Sequence, residues 1–268
     1  MISINGYPVG NKCYPNNERI FEMPPINSPL FQTDTFTIDF KYHTDIDISI
    51  LIMCKKYIDD SFDNPKVTLI MKYVPYSRMD RKINGYMFSL KYFCKLINDL
   101  NFDTVYVLDP HSNVTTALLD RCSEIDIRQY IYNILNKVNI DYIFYPDLGS
   151  MKRYGELPNF TFRPYFCGSK KRDLQTGKIV NYELIDCPDI QEKDILIIDD
   201  LCAYGGTFQL ASEKLKEKGA NNIYLYVSHC EDSIYNGKLI KSGLISKIFT
   251  TDSILNDWSS KLICNVSE

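Results

Sequence analysis

Residues 195–220 read ILIIDDLCAYGGTFQLASEKLKEKGA, and this stretch decides the fold. An apolar run predicts a buried β-strand, the acids Asp199 and Asp200 stand at its end, and apolar residues at helical spacing follow a short glycine-containing loop. Thr207 is the predicted N-cap of that helix, and Gly219 lies just beyond its end. A strand, a tight loop and a helix N-terminus in this order are typical of phosphate-binding sites, because backbone N–H groups and the helix dipole point toward the anion.

The loop between the acids and the helix favours a sugar phosphate as ligand. Gly205 and Gly206 allow the backbone to turn tightly and to approach a phosphate closely. The two carboxylates can accept hydrogen bonds from a pair of vicinal hydroxyls, such as those of ribose. The alternative is an ordinary strand–turn–helix with a capped helix. Two adjacent acids after an apolar strand are, however, a poor choice for a turn that only reverses the chain.

The rest of the chain alternates apolar strands with amphipathic helices. Strands are predicted at 66–73, 104–109, 142–146, 194–200, 223–228 and 247–250, and helices at 48–59, 86–100, 125–138 and 208–218. This alternation predicts an α/β fold with parallel sheets and crossover helices. The polar segment 168–191 shows no clear period, and we predict that it is a mobile loop or a β-flap.

Composition and charge exclude several classes of protein. The 268 residues are 45% hydrophobic and 24% charged, as is ordinary for a globular protein with a substantial core. The net charge of -4 gives no overall basic field, so nucleic acid is not expected as a partner. No apolar run approaches the ~20 residues that cross a bilayer, so a membrane is not expected either. Nine cysteines without a C-x-x-C pair, in a chain with no recognisable secretion signal, predict reduced thiols in a cytoplasmic protein.

The segment IIDDLCAYGGT resembles the PRPP-binding signature that type I phosphoribosyltransferases share with PRPP synthetases. Six other segments are similar to motifs of PRPP synthetases alone, and they occur in the family's order. These segments are CYPNNE (13–18), YVPYSRMDRK (73–82), VLDPHS (107–112), YPDLGSMKRY (145–154), SKKR (169–172) and TTDSI (250–254). On these motifs the chain is similar to the ribose-phosphate diphosphokinase (PRPP synthetase) family.

The resemblance implies a fold and a reaction. The fold would be two α/β halves of the type I phosphoribosyltransferase kind with parallel sheets and the active site between them. Residues 1–124 would carry the ATP-site segments, and residues 125–268 the ribose-phosphate loop and a flexible catalytic loop. The reaction would transfer the β,γ-diphosphoryl group of ATP to the anomeric C1 hydroxyl of a ribose 5-phosphoryl acceptor, with Mg²⁺ as cofactor and AMP as product. A homodimer or a higher homo-oligomer is implied, because the family's equivalent of CYPNNE holds adenine across a subunit interface.

The resemblance also assigns roles to individual residues. Lys170 and Arg172 would be a transition-state clamp, although Lys171 could take the place of Lys170. The catalytic candidates are Lys170, Arg172 and His111. The ATP-binding candidates are Arg78, Asp80, Tyr14, Asn16 and Glu18. The ribose-phosphate candidates are Asp199, Asp200, Ala203, Tyr204, Gly205, Gly206 and Thr207. The metal candidates are His111 and Asp147.

The sugar-phosphate loop departs from the family pattern at two positions, because Ala203 and Tyr204 stand where the family has an acid and a Thr. This departure slightly favours ADP-ribose as the acceptor, which a related branch of the family converts to its pyrophosphate in NAD salvage. Ala203 would open space for the diphosphate, and Tyr204 would stack on an adenine or line its path. The alternative acceptor is ribose 5-phosphate, with Tyr204 merely packing against the protein.

Two further interpretations of the sequence stay open. A phosphoribosyltransferase acting on a base would share the phosphate loop but would not need YVPYSRMDRK or VLDPHS. The second is an inactive regulatory relative of the PRPP synthetases, and the presence of His111, Lys170, Arg172, Asp199 and Asp200 argues against it.

Overall fold

The computed structural model describes residues 1–23, 25, 28–83, 85–172 and 179–267. The chain divides into two compact units, Met1–Asp126 and Ile127–Glu268. Each unit has its own sheet and its own hydrophobic core. The predicted α/β fold, with one largely parallel sheet in each half, is confirmed. Within the described residues, no helix is long and apolar enough to cross a membrane.

The first unit is built on a six-stranded sheet with the strand order β2-β1-β5-β6-β7-β8. Its strands are β1 (Ile2–Ile4), β2 (Tyr7–Pro8), β5 (Thr35–Phe40), β6 (Lys66–Met71), β7 (Thr104–Leu108) and β8 (Cys122–Ile125). The strands β5 to β8 are parallel, and β1 and β2 form an antiparallel edge. A two-stranded hairpin pairs β3 (Gly10–Cys13) with β4 (Arg19–Glu22). The helices are α1 (Asp45–Ser61), α2 (Ser89–Asp99) and α3 (Asn113–Leu118).

The core of the first unit follows from the alternation of buried residues along β5 and β6. Successive side chains of a strand point to opposite faces, so residues two apart share a face. Phe36, Ile38 and Phe40 are buried along β5 in this way. The apolar stripe of α2 packs into the same cluster through Leu90, Phe93, Cys94 and Ile97.

The second unit is built on a seven-stranded sheet with the strand order β11-β10-β9-β12-β13-β14-β15. Its strands are β9 (Tyr142–Tyr145), β10 (Tyr165–Arg172), β11 (Ile179–Ile185), β12 (Ile195–Cys202), β13 (Ile223–Cys230), β14 (Lys247–Thr250) and β15 (Ile263–Asn265). All neighbouring pairs are parallel except β10 and β11. The helices are α4 (Arg128–Lys137), α5 (Leu148–Tyr154), α6 (Leu157–Thr161) and α7 (Gly206–Glu217).

The strand β12 runs through the centre of the second unit. Ile195 and Ile197 belong to the cluster on one face of the sheet, and Leu196 and Ile198 to the cluster on the other. A strand buried on both faces has a continuous apolar sequence, which explains the run that begins residues 195–220. This burial makes β12 a fixed support for the acids at its end.

The polar segment 168–191 contains most of an antiparallel hairpin formed by β10 and β11. Gly168 pairs with Leu184, and Lys170 pairs with Tyr182. Of the two structures predicted for this segment, the β-flap agrees with this pairing. Residues 173–178 lie outside the described part of the chain.

Candidate active site

In the second unit, three neighbouring strands bring charged residues to one edge of the sheet. β9 is followed by Asp147, β10 extends past the end of β9 and carries Lys170, and β12 carries Asp199 and Asp200 near its end. Because these strands are adjacent and parallel, their carboxyl ends meet at the edge where α/β proteins bind ligands. Asp147, Lys170 and Asp199 therefore lie close enough for their charges to interact.

Asp147 is the N-cap of α5 and forms an ion pair with Lys170. Its Oδ1 accepts a hydrogen bond from the Ser150 N–H at 2.9 Å, and its Oδ2 contacts the Lys170 Nζ. Burial by itself would raise the pKa of Asp147. The hydrogen bonds from Lys170 and from the backbone outweigh burial, so the pKa lies below its ordinary value. Asp147 is therefore ionised at neutral pH.

Asp199 and Asp200 stand side by side at the end of β12. The Asp200 N–H donates to Oδ1 of Asp199 at 3.0 Å, and the Asp200 side chain is buried. Burial raises the pKa of Asp199 well above its ordinary 3.8, and the negative charges of Asp200 and Asp147 act in the same direction. Hydroxyl donors or a cation placed between these carboxylates would relieve their repulsion.

The loop after β12 is fixed by Gly205, and the prediction that Thr207 caps the helix is wrong. Gly205 is the N-cap with φ +78°, and α7 begins at Gly206. A Cβ on Gly205 would lie 2.9 Å from two atoms of Leu239, whereas one on Gly206 would meet no atom within 4 Å. A glycine is thus required for the left-handed turn, and this turn ends the loop earlier than a Thr cap would. The prediction for Gly219 is confirmed, since it follows the C-cap of α7 with φ +86°.

Tyr204 projects from this loop, and its side chain is 62% exposed. The backbone beneath it is held closely, since a Cβ on Gly237 would lie 1.9 Å from the Tyr204 carbonyl oxygen. Ala203 is half-buried. The loop therefore has a fixed backbone and presents an aromatic ring to the solvent.

In the first unit, the segments that contain Arg78 and His111 follow the neighbouring parallel strands β6 and β7. Both side chains are exposed at the carboxyl edge of that sheet. Asp80 lies 3.9 Å from Nε of Arg81, so these two residues do form a local charge pair. In the residues that follow His111 in sequence, the side-chain oxygens of Ser112 and Thr115 are buried without a hydrogen-bond partner among the described residues.

The residues similar to the family's adenine-binding segment lie at the tip of the β3–β4 hairpin. The Tyr14 N–H donates to the Glu18 carbonyl at 2.8 Å, and Asn16 Nδ2 donates to the Glu18 side chain at 2.9 Å. The Tyr14 ring is 51% exposed. These contacts hold the tip in a defined shape, and its contact with adenine stays a prediction.

The clamp candidates are described to different extents. Lys170 lies on β10 with its Nζ at Asp147. Arg172 ends the same strand, but its side chain and that of Lys171 lie outside the described part of the chain. The roles of these residues in a clamp stay a prediction.

The structure adds three polar residues that the sequence patterns did not reveal. Ser150 Oγ donates to the Ile198 carbonyl at 2.7 Å and so ties α5 to β12. His229 Nδ1 lies 2.8 Å from Ser253 Oγ at the ends of β13 and β14. Tyr182 Oη donates to the Pro146 carbonyl at 3.0 Å. A polar residue near the end of an apolar strand was a usable signal for His229, but Tyr182 lies in a segment without a period.

Comparison with known proteins agrees with the resemblance in motifs. No family model matches the chain. A ribose-phosphate pyrophosphokinase of Sulfurisphaera tokodaii is 26% identical over 100% of this chain and 91% of its own length. One of Sulfolobus acidocaldarius is 28% identical over 97% and 89%. The crystal structure of phosphoribosylpyrophosphate synthetase from Mycobacterium smegmatis superposes with a TM-score of 0.74 at 15% identity, covering 96% of this chain and 85% of that one.

The structural match shows that both halves share the fold of that synthetase, and the sequence matches extend over nearly the whole chain. In sequence, over nearly its whole length, the chain is therefore similar to proteins named ribose-phosphate pyrophosphokinase.

Proposed function

We propose that this protein is a Mg²⁺- and ATP-dependent diphosphotransferase. It transfers the β,γ-diphosphoryl group of ATP to the anomeric C1 hydroxyl of a ribose 5-phosphoryl acceptor and releases AMP. The observation that carries the proposal is the arrangement in the second unit. A lysine paired with Asp147, the acids Asp199 and Asp200, and a glycine loop at a helix N-terminus all lie at one sheet edge.

The acceptor would be held by the loop and by the two acids at the end of β12. Backbone N–H groups at the start of α7 would bind the 5-phosphate, since the helix N-terminus carries partial positive charge. Asp199 and Asp200 would accept hydrogen bonds from the ribose 2- and 3-hydroxyls. This binding would replace the repulsion between the carboxylates with hydrogen bonds, and it would fix the direction of the C1 hydroxyl.

Lys170 would act on the transferred group. Phosphoryl transfer is catalysed mainly by positioning and by neutralising the charge of the phosphates. The Lys170 ammonium, which neutralises Asp147 in this structure, would instead contact the transferred diphosphoryl group. Arg172 is proposed to assist it, and Arg78 to bind the ATP phosphates through its guanidinium fork.

The residues present fit Mg²⁺ as the cofactor. In the second unit, Asp147 would supply an ionised oxygen ligand. In the first unit, His111 would be the candidate ligand, and the buried side-chain oxygens of Ser112 and Thr115, which follow it in sequence, have no hydrogen-bond partner among the described residues. Mg²⁺ commonly takes one or two carboxylates and completes its shell with phosphates and water, so the Asp147 carboxylate would supply one of its ligands. When bound, Mg²⁺ would neutralise negative charge on the phosphates of ATP.

ADP-ribose is the acceptor that the loop favours slightly over ribose 5-phosphate. The exposed Tyr204 ring argues against a side chain that merely packs, and it could stack on the distal adenine. The test is kcat/KM for both acceptors at saturating MgATP, in the wild type and in Tyr204→Thr. A preference for ADP-ribose that Tyr204→Thr abolishes would support this acceptor. If kcat/KM is about tenfold higher for ribose 5-phosphate, and Tyr204→Thr leaves the ratio of the two kcat/KM values unchanged, the acceptor is ribose 5-phosphate. A tenfold difference corresponds to ~1.4 kcal/mol in transition-state stabilisation.

The reaction type is tested by following nucleotide products. AMP formed from ATP only when a ribose phosphate is present supports the diphosphotransferase. ADP as the product, or a requirement for a free base and PRPP, would contradict it and favour a phosphoryl kinase or a base phosphoribosyltransferase.

A further inference from the structure

Tyr182 is a buried tyrosine that no step of the proposed reaction uses. It lies on β11, directly opposite Lys170 on β10, and directly opposite residues of an antiparallel pair project to the same face. Its side chain is 5% exposed and belongs to the hydrophobic cluster on one face of the sheet. The ring of Tyr182 therefore lies on the same face of the hairpin as the lysine side chain.

The hydroxyl of Tyr182 reaches across β10 to the end of β9. It donates to the carbonyl of Pro146, the residue before Asp147, at 3.0 Å. The hydrogen bond therefore joins the strand opposite Lys170 to the backbone that carries Asp147, its ion-pair partner.

Gly168 makes room for this hydrogen bond. A Cβ on Gly168 would lie 2.4 Å from the Tyr182 Oη and 2.8 Å from its Cζ, and the Phe144 ring at 3.1 Å closes the other side. Gly168 precedes Lys170 by two residues, so it shares the face of the strand that carries the lysine. Gly168 and Tyr182 thus pack directly against each other on the strands next to the ion pair.

We infer that Tyr182 is a positioning residue, which holds Lys170 at the site beside Asp147 by tying the β10–β11 hairpin to the end of β9. The expected effect on kcat rests on the proposed function. The expected effect on the solvent exposure of Lys170 does not.

The central variant is Tyr182→Phe, which keeps the ring and removes the hydrogen bond. We expect kcat to fall roughly tenfold to a hundredfold, because a small displacement of a catalytic group has effects of this size. The KM for ATP should stay within about twofold of the wild type, since Lys170 is proposed to act on the transferred group in the transition state and Arg78 to bind the ATP phosphates.

Tyr145→Phe is the matched control. Tyr145 is fully buried, and its Oη donates to the backbone carbonyl of Tyr154 at 2.9 Å in the cluster on the opposite face of the same sheet. Both variants lose one buried tyrosine–carbonyl hydrogen bond, so their Tm should fall by similar amounts. An equal fall of kcat in Tyr145→Phe would overturn the inference.

A double-mutant cycle tests whether Tyr182 acts through the lysine. In a Lys170→Ala background, Tyr182→Phe should cause no further fall in kcat, because the group that it positions is gone. A further fall as large as in the wild type would overturn the inference. If Tyr182→Phe does not fold, Gly168→Ala displaces the same ring and should give the same pattern.

The exposure of Lys170 supplies a measurement that needs no activity. Amine acetylation followed by peptide mass spectrometry should be severalfold faster at Lys170 in Tyr182→Phe than in the wild type, with Lys193 as an internal reference. Tyr145→Phe should leave the rate unchanged. Equal rates in wild type and Tyr182→Phe would overturn the inference, whereas absence of AMP formation with a raised rate would reject only the proposed function.

Discussion

At the residue scale, the charges around Asp147 and Asp199 are arranged differently. Asp147 has a cationic partner and a pKa below its ordinary value, whereas Asp199 faces two other acids and has a raised pKa. The ion pair with Asp147 holds Lys170 at the site. Around Asp199, the repulsion between carboxylates would be relieved by the hydroxyls of a ribose diol. Single substitutions at these positions test both arrangements.

Lys170→Ala should lower kcat by roughly 10²–10³, the usual cost of one transition-state contact, and leave ATP affinity within about a few-fold of the wild type. Arg172→Ala is expected to behave in the same way. Steady-state kinetics of AMP release provides the measurement. Lys193→Ala is the control, because Lys193 lies 4.0 Å from a carboxylate oxygen of Asp141 at the opposite edge of the same sheet. Unchanged turnover in both clamp variants would reject the clamp.

Asp199→Asn should raise Tm at neutral pH while weakening acceptor binding. Because the pKa of Asp199 is raised in the folded protein, ionisation of this carboxyl costs stability as the pH rises above its ordinary 3.8. The amide removes that cost, so the gain in Tm should shrink as the pH is lowered toward 3.8. Thermal unfolding at several pH values and calorimetric titration of the acceptor measure the two effects.

The exposed acid Asp189 supplies the control for this substitution. Asp189→Asn should leave both Tm and acceptor affinity unchanged. A lower Tm in Asp199→Asn at neutral pH, or a gain that grows on acidification, would contradict the charge repulsion. A loss of binding confined to ATP would show that the two substrate sites are assigned the wrong way round.

At the element scale, the two adjacent glycines of the loop between β12 and α7 are expected to differ in their effect on stability. Gly205→Ala places a side chain in the left-handed region and against Leu239, so it should lower stability by about 1–2 kcal/mol. Gly206→Ala is the matched control for stability, because its Cβ meets open space in a helical position. Both substitutions should raise the KM of the acceptor, since the two glycines form the start of α7, where the backbone is proposed to approach the phosphate.

Chemical denaturation and acceptor kinetics on the two variants decide this point. Equal stability of Gly205→Ala and the wild type would mean that the loop tolerates another conformation. An unchanged acceptor KM in both variants would argue against the loop as the phosphate-binding site.

The order of the central strands and helices was predictable, because burial leaves a periodic pattern in the sequence. The predicted strand 223–228 lies within β13. The bounds of the predicted helix 208–218 differ from those of α7 by about two residues at most. The β10–β11 pairing was not predictable in register, since the segment is polar and shows no hydrophobic period. The N-cap of α7 was misassigned because a hydroxyl residue is the usual signal, whereas here the turn needs a left-handed glycine.

The placement of site residues was partly predictable for the same physical reason. Asp147 and Asp199 stand at the ends of apolar strands, where parallel strands gather ligands. The partnership of Lys170 with Asp147 depends on the register of β10 against β9, which no local pattern encodes. The role of Tyr182 depends on the space at Gly168 and was therefore visible only in three dimensions.

At the scale of the whole molecule, the two units carry different parts of the proposed machinery. Arg78 and His111 lie in the first unit, and Asp147, Lys170 and Asp199 in the second. The division of roles between residues 1–124 and 125–268 stays a prediction, as does the assembly of a homodimer or a higher oligomer.

If the β3–β4 hairpin tip serves the adenine site of a partner subunit, two inactive variants should complement each other. Glu18→Ala alone and Lys170→Ala alone should both be nearly inactive. Random mixing of subunits in a dimer would leave on the order of a quarter of the sites intact, because one site of each mixed dimer receives both substitutions and the other none. Activity of the refolded or co-expressed mixture measures this, and no recovery in a confirmed mixed oligomer would place the tip outside a shared site.

The most direct test of the central claim follows both ends of ATP in one reaction. The protein is incubated with Mg²⁺, ATP labelled at the γ-phosphorus and a ribose 5-phosphoryl acceptor, and the products are separated and identified by mass spectrometry and ³¹P NMR. We predict AMP as the nucleotide product and a labelled diphosphate on C1 of the sugar, in equal amounts and strongly reduced in Lys170→Ala. ADP with a singly phosphorylated sugar, or no AMP with either ribose 5-phosphate or ADP-ribose, would contradict the account.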